Sequence, residues 1–188
     1  MRFYLYLVVA LWLGWLAYWI AAARNVKSVA WAASWQERLG YSVPLWLSTV
    51  LLVNSHVGGF PAIRFVPFAA WTVVGGTLLT AAGLGFAIWA RVALGANWSG
   101  EVTVKRGHEL VQSGPYALAR HPIYTGLSLA LLGTALAIGE WRGLIALVLA
   151  VGSFVYKLGI EERAMRETFG AAWEAYARRV KALIPFIV

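Results

Sequence analysis

Two clusters of polar residues interrupt a sequence that is otherwise strongly apolar. The first is GPYALARHPIYTG, residues 114–126, in which Arg120 and His121 stand directly before a proline. The second is YKLGIEER, residues 156–163, in which a lysine and a glutamate four positions apart share one face of a helix. Charged groups beside hydrocarbon are energetically costly, and such clusters therefore indicate a functional site.

The first cluster has the residue types that bind anions. Pro122 predicts the start of a helix, because proline is favoured at the first helical position. The backbone N–H groups near Arg120 and His121 would then attract an anion, and the Arg120 guanidinium could bind a carboxylate or phosphate through two parallel hydrogen bonds. Alternatively, Arg120 reaches toward lipid phosphates and His121 only caps the turn. The residues leave both interpretations open.

The second cluster places Lys157 and Glu161 on one helix face, with Glu162 next to them. One interpretation is a salt bridge on a solvated helix, although the more favourable order places the glutamate before the lysine. Two adjacent glutamates beside a membrane surface with anionic lipids favour a different interpretation. They would suit a bound cation, or a ligand that carries hydroxyl and ammonium groups.

Composition identifies the class of protein. The 188 residues are 61% hydrophobic and 13% charged, and they include 11 Trp, a residue that favours membrane interfaces. The chain has no Cys, which excludes disulfides and thiolate zinc sites. Because the chain is so hydrophobic, its net charge of +8 indicates a membrane surface rather than nucleic acid as the partner. We predict an integral membrane protein.

Apolar stretches predict the fold class, an all-α membrane protein with about five transmembrane helices. The predicted spans are residues 3–23, 44–57, 65–90, 123–138 and 143–156. We expect a single domain, 1–188, whose N-terminal part, 1–90, contains three spans. The remaining part, 91–188, would contain a helical hairpin at 122–160 and a C-terminal helix, and would form a pocket with the 91–121 loop.

The distribution of basic residues predicts the orientation. With the N-terminus outside, thirteen of the 16 Lys and Arg residues fall on the cytoplasmic side. The 91–121 loop and the C-terminus would then be cytoplasmic. In a prokaryote the membrane would be the plasma or inner membrane.

The two clusters together resemble the isoprenylcysteine carboxyl methyltransferase family, which is related to phospholipid N-methyltransferases. The resemblance rests on GPYALARHPIYTG, on EERAMRETFGAAWEAYARRV at 161–180, and on the Ile-Pro at 184–185. It covers residues 94–186 and indicates a member of bacterial or archaeal type.

The resemblance implies a cytoplasmic pocket for S-adenosyl-L-methionine, which leaves as S-adenosyl-L-homocysteine. The implied cofactor-binding residues are Glu101, His108, Glu109, Leu110, Val111, Tyr116, His121, Pro122, Ile123, Tyr124 and Glu161. Arg120 and Lys157 would be the catalytic residues that contact the substrate. Lys157 stands where the family typically has arginine, so it keeps the charge but loses the bidentate fork.

The implied reaction is carboxyl O-methylation of an isoprenylcysteine-like acceptor in the membrane. Its carboxylate is already ionised, so the residues need only align the reactants and exclude water. Expected partners are a lipophilic or lipidated substrate and membrane lipids, with no nucleic acid, no metal and no obligate protein partner.

Two other interpretations stay open. A membrane sterol or steroid reductase would bind NADPH, and Arg120, Lys157 and Arg163 would contact its 2′-phosphate. A non-enzymatic membrane subunit would keep the fold without a reaction.

Overall fold

The structure, a computed structural model, describes residues 2–24, 26–54 and 56–183. The terminal Ile-Pro of the family resemblance lies outside these residues. Helices are the main elements, and their bounds are α1 Arg2–Ala22, α2 Trp35–Val53, α3 Ala70–Leu94, α4 Pro122–Ile138, α5 Trp141–Phe169 and α6 Ala171–Arg179. A small antiparallel pair, β1 Val29–Ala32 and β2 Thr103–Lys105, joins the segment before α2 to the loop after α3.

The prediction of an all-α membrane protein is confirmed. Among the described residues, three segments are long and apolar enough to cross a membrane, namely Phe3–Ala22, Ala70–Asn97 and Trp141–Phe169. Pro122–Ile138 is a shorter apolar helix. The helix α2 has charged residues in its first turn, so the count of five spans stays a prediction, as does the division of the single domain at residue 90.

The second predicted span begins earlier than expected, at Trp35 instead of residue 44. Ser34 and Glu37 form a capping box, in which the Ser34 Oγ accepts from the Glu37 N–H and the Glu37 carboxylate accepts from the Ser34 N–H. These two bonds satisfy N–H groups that a helix start leaves unpaired, and so they fix the first turn. Pro44 lies inside the helix.

Helices α3 and α4 pack backbone against backbone. A Cβ atom added to Gly83 would lie 2.5 Å from the carbonyl oxygen of Gly126, and one added to Gly76 would lie 2.5 Å from that of Gly133. Small residues permit this close approach of helices in a membrane. The indole N–H of Trp12 donates to the Thr134 hydroxyl at 3.0 Å, which fastens α1 to α4.

Helices α4 and α5 form a hairpin, and α5 is longer than the predicted span 143–156. Gly139 ends α4 in the left-handed conformation, with φ of 71°, and α5 starts at Trp141. The helix α5 continues to Phe169, so Lys157 and Glu161 belong to this one continuous helix. The hairpin therefore brings the second polar cluster back to the start of α4.

The remaining helices leave a space at the polar end of this hairpin. In the part of the chain that the structure describes, α1 packs on α3 and α2 packs on α5, while α1 and α2 make little contact with each other. Thr103 of β2 and Trp173 and Tyr176 of α6 line this space.

Candidate cofactor and acceptor site

One cavity of about 660 Å³ lies between α1, α2, α4, α5 and α6 and the segment between α3 and α4. Every predicted site residue except Pro122 lines it: Glu101, His108, Glu109, Leu110, Val111, Tyr116, Arg120, His121, Ile123, Tyr124, Lys157 and Glu161. Pro122 is fully buried as the first residue of α4. The two sequence clusters thus meet at one cavity, while the role of each residue stays a prediction.

His121 and Glu161 lie at the polar end of the cavity, and Glu162 lies behind them against the other side of the imidazole. The Nδ1 atom of His121 lies 3.4 Å from Glu161 Oε2, and its Nε2 atom lies 3.2 Å from Glu162 Oε1. Burial disfavours the charged form of His121, but hydrogen bonds to both carboxylates outweigh this effect and raise the pKa of the imidazole. The Tyr124 hydroxyl donates to Glu161 Oε1 at 2.6 Å, which fixes this carboxylate from its other side.

All three guanidinium nitrogens of Arg120 donate hydrogen bonds inside the protein. Its Nε and Nη2 atoms both donate to Glu162 Oε1, at 2.8 and 2.6 Å, and its Nη1 atom donates to the Val180 carbonyl at 2.5 Å. The side chain is 12% exposed. The guanidinium therefore lies at the edge of the cavity with its donors directed to α5 and to the end of α6.

The anion site expected from backbone N–H groups at the start of α4 is not formed by Arg120 and His121. Their backbone N–H groups donate to the carbonyl oxygens of Lys181 and Ala182, at 2.8 and 2.9 Å. The segment after α6 thus occupies these two donors, which the sequence could not indicate because carbonyl groups carry no signature in it. An anion at the other N–H groups of the first turn of α4 stays a prediction.

Lys157 lies at the side of the cavity formed by α2 and α5. Its ammonium donates to the Gly100 carbonyl at 2.8 Å and stands over the Tyr41 ring, 5.0 Å from the ring centre. The Tyr124 ring centre is 5.7 Å away. Aromatic faces attract cations, so these rings hold the ammonium in the cavity. Sequence reasoning missed Tyr41, which lies far from both clusters.

Glu101 and Glu109 lie at the outer edge of the cavity. Glu101 pairs with Arg38 at 2.7 Å, and Glu109 pairs with Lys27 at 3.0 Å. Both carboxylates are exposed, so each pair contributes little to stability. The two basic partners come from the N-terminal part of the chain, and no motif predicted them.

Two buried tyrosines complete the polar end. The Tyr176 hydroxyl of α6 donates to the Tyr116 carbonyl at 2.7 Å. Burial raises the pKa of both phenols, that of Tyr176 to about 12, so both stay neutral at physiological pH. They can act as hydrogen-bond donors but not as bases.

The other end of the cavity is apolar and lies between α1 and α2. It is lined by Trp15 and Trp19 of α1, Leu45, Trp46 and Thr49 of α2, Leu127 of α4 and Phe154 of α5. Sequence reasoning did not single out these residues, because large apolar side chains in a membrane helix have no pattern that separates a ligand wall from a lipid-facing surface.

The fold and the cavity define an integral membrane protein whose helices enclose one space that is polar at one end and apolar at the other. Residues 71–172 match the phospholipid methyltransferase family model. The chain therefore belongs to the phospholipid methyltransferase family.

Curated relatives support this membership and confirm the resemblance to isoprenylcysteine carboxyl methyltransferases. The chain is 30% identical to protein-S-isoprenylcysteine O-methyltransferase of Saccharomyces cerevisiae over 142 residues, which cover 72% of this chain and 59% of the yeast protein. It is 34% identical to the Schizosaccharomyces pombe protein of that name over 101 residues, 52% and 43% of the two chains. It is 35% identical to a probable protein-S-isoprenylcysteine O-methyltransferase of Oryza sativa subsp. indica over 81 residues, 43% and 42% of the two chains. The chain thus spans about half the length of the relatives it matches, and a bacterial or archaeal type stays a prediction.

Proposed function

We propose that this protein is an S-adenosylmethionine-dependent methyltransferase whose acceptor is a lipophilic carboxylate in the membrane, with an isoprenylcysteine-like structure. The observation that carries the proposal is a single cavity with two chemically different ends. A soluble, charged cofactor suits the end that contains His121 and Glu161, and an apolar tail suits the end between α1 and α2. The family names of the relatives support the same reaction.

The polar end has the residue types that the cofactor requires. The Glu161 carboxylate can accept hydrogen bonds from ribose hydroxyls or from an ammonium group, and Leu110, Val111 and Ile123 provide apolar surface for a purine ring. The Tyr124 ring offers a face that attracts a cation. The cavity volume of about 660 Å³ lies within the ordinary range for ligand sites. When bound, S-adenosylmethionine would supply an activated methyl group on a sulfonium sulfur.

The acceptor carboxylate would lie near Lys157, whose ammonium lies in the cavity close to the Tyr41 and Tyr124 rings. A carboxylate is already ionised, so no general base is needed. The residues would contribute alignment and exclusion of water, which are worth about 7–11 kcal/mol in favourable cases. The tail would enter sideways between α1 and α2, which make little contact among the described residues. The polar end would face the cytoplasm, as the charge distribution predicts.

The reductase alternative loses its main support. Of its three expected phosphate ligands, Arg120 is bound to Glu162 and Arg163 points elsewhere, 3.9 Å from Glu37 and 63% exposed. Arg163 does not line the cavity, so the described residues do not bring the three cations together.

Calorimetry of the detergent-purified protein tests the cofactor. We expect saturable binding of S-adenosylhomocysteine that Glu161→Ala abolishes. Glu167→Ala is the matched control, because Glu167 lies exposed on the same helix outside the cavity. Binding of NADPH alone would instead establish a reductase. Binding of neither ligand by folded protein would leave the non-enzymatic subunit.

A transfer assay tests the acceptor. N-acetyl-S-farnesylcysteine should accept a labelled methyl group, and its carboxamide should not. Lys157→Gln should raise KM for this acceptor much more than it weakens binding of S-adenosylhomocysteine. Equal activity with the carboxamide would contradict a carboxylate acceptor.

A further inference from the structure

Glu162 lies behind the polar end of the cavity, outside the predicted site, and one of its oxygens joins both residues of the Arg-His pair. We propose that Glu162 is a positioning residue, which holds the His121 imidazolium and through it the Glu161 carboxylate in the orientation that binds the cofactor. This inference rests on the proposed function. It adds a residue that makes no contact with the cavity.

The geometry singles out the Oε1 atom of Glu162. This oxygen accepts from Arg120 Nε at 2.8 Å and Nη2 at 2.6 Å, and it lies 3.2 Å from His121 Nε2. The Glu162 side chain is 17% exposed, so these bonds are largely shielded from water. Charge-assisted bonds of this kind are the strongest in a protein interior.

The Nδ1 side of the His121 imidazole, opposite Glu162, connects Glu162 to the cavity residue Glu161. His121 Nδ1 lies 3.4 Å from Glu161 Oε2, so a carboxylate oxygen stands against each ring nitrogen. Both contacts are hydrogen bonds only when both nitrogens carry protons, that is, in the imidazolium form. Glu162 favours this form, and the imidazolium in turn holds Glu161.

The surroundings of His121 contain the groups that set its charge. From α5 it faces Glu161 and Glu162, and from α4 it faces the Tyr124 ring, stacked at 5.8 Å between ring centres. Arg120 reaches the same Glu162 oxygen, and Tyr176 is the titratable residue that α6 places near this pair. The two carboxylates are the groups that stabilise a positive ring.

Arg120 acquires a different role from the one predicted by the sequence. Its donors point to Glu162 and to the end of α6, so it orients Glu162 and does not grip the acceptor. Arg120→Gln should then weaken binding of S-adenosylhomocysteine about as much as Glu162→Gln does. The double variant should be no weaker than the more severe single variant, because the two residues act as a unit. A normal cofactor affinity with a raised acceptor KM in Arg120→Gln would overturn this role.

Histidine NMR of the ligand-free protein tests the first half of the proposal without cofactor. The chain has three histidines, so loss of a signal in His121→Gln assigns the residue. In Glu162→Gln the titration midpoint of His121 should fall by about one pH unit or more, the usual effect of losing a nearby opposite charge. Glu167→Gln, the same substitution on the exposed side of α5, should leave it unchanged. An unchanged midpoint in Glu162→Gln would overturn the proposal.

Calorimetry with S-adenosylhomocysteine between pH 6 and 9 tests the second half. Glu162→Gln should bind about tenfold more weakly at neutral pH, and its affinity should begin to fall at lower pH than that of the wild type. If Glu162→Gln does not fold, Arg120→Gln serves in its place for the affinity alone, because loss of a positive charge does not disfavour the imidazolium. Wild-type affinity in these variants, or a wild-type pH profile in folded Glu162→Gln, would overturn the inference alone, whereas absence of binding by the wild type would overturn the proposed cofactor as well.

Discussion

The hydroxyl of Tyr124, in the first turn of α4, donates a 2.6 Å hydrogen bond to Oε1 of Glu161, in the second half of α5. This bond joins the two polar clusters, which are far apart in the chain. The Tyr124 ring stacks on both His121 and Phe154, at 5.8 and 5.0 Å between ring centres. The position of the hydroxyl is thus fixed by packing.

Tyr124→Phe should weaken binding of S-adenosylhomocysteine about tenfold or more. The substitution keeps the stacked ring and removes only the bond to a charged carboxylate, and such bonds contribute about 1.5–3 kcal/mol. Calorimetry at pH 7 measures the change. Tyr156→Phe is the matched control, since Tyr156 is 47% exposed and does not line the cavity. Equal losses in both variants would contradict a specific role of the Tyr124 hydroxyl.

Gly83→Ala should destabilise the protein by about 1–3 kcal/mol, because its Cβ would lie 2.5 Å from the backbone oxygen of Gly126. Gly85→Ala, two positions along α3, meets nothing within 4 Å and should be neutral or raise stability by up to about 1 kcal/mol. Thermal unfolding in detergent compares the two. A lower Tm in Gly85→Ala than in Gly83→Ala would show that the close α3–α4 contact does not control stability.

Arg142→Gln should lower the free energy of unfolding by about 2–3 kcal/mol. The buried Arg142 side chain donates to Glu140 at 2.6 Å and to the Asn54 carbonyl at 3.0 Å, so it joins the start of α5 to the end of α2. The substitution leaves Glu140 without its short partner. Thermal unfolding measures the loss, and Arg178→Gln, at an exposed position of α6, is the control. Equal Tm values for the two variants would contradict this prediction.

Stability should also depend on pH through His121, whose pKa is raised in the folded state. A group with a raised folded-state pKa contributes stability that is fully present below its unfolded pKa of about 6.5 and is lost as the pH rises through the folded-state value. The Tm difference between wild type and His121→Gln should therefore be larger at pH 6 than at pH 9.

His56→Gln provides the control for this pH dependence, because the His56 side chain is exposed. Its Tm difference from the wild type should be small and equal at both pH values. A His121→Gln difference that grows toward pH 9 would contradict a protonated ring between the two glutamates.

The sequence predicted the meeting of the two clusters because a helical hairpin is a local structure. Once α4 and α5 are joined by a short turn, the start of one must lie near the far part of the other. Contacts between distant elements were not predictable in this way. The cavity residues Tyr41 and Trp46 belong to α2, and the side on which α2 packs depends on how all the helices fit together.

Some missed features did have a signal. Ser34 followed three positions later by Glu37 is the pattern of a capping box, and it marks the start of α2 nine residues before the predicted span. The hydrogen bonds from the Arg120 and His121 N–H groups to the carbonyls of Lys181 and Ala182 had no signal in the sequence, since every residue carries a carbonyl. The resemblance assigned Glu161 to the site, but the contacts of Glu162 with Arg120 and His121 are seen only in the structure.

The backbone contact between α3 and α4 divides the molecule into a fixed part and an adjustable part. At the glycines the two helices touch through their backbones, and the buried Thr80 hydroxyl also donates to the Ala130 carbonyl across the contact at 3.2 Å. We therefore expect the cavity to widen on the side of α1 and α2, which make little contact among the described residues. Under the proposed function, acceptors with longer or shorter tails would be accommodated there, while the cofactor end would keep one shape.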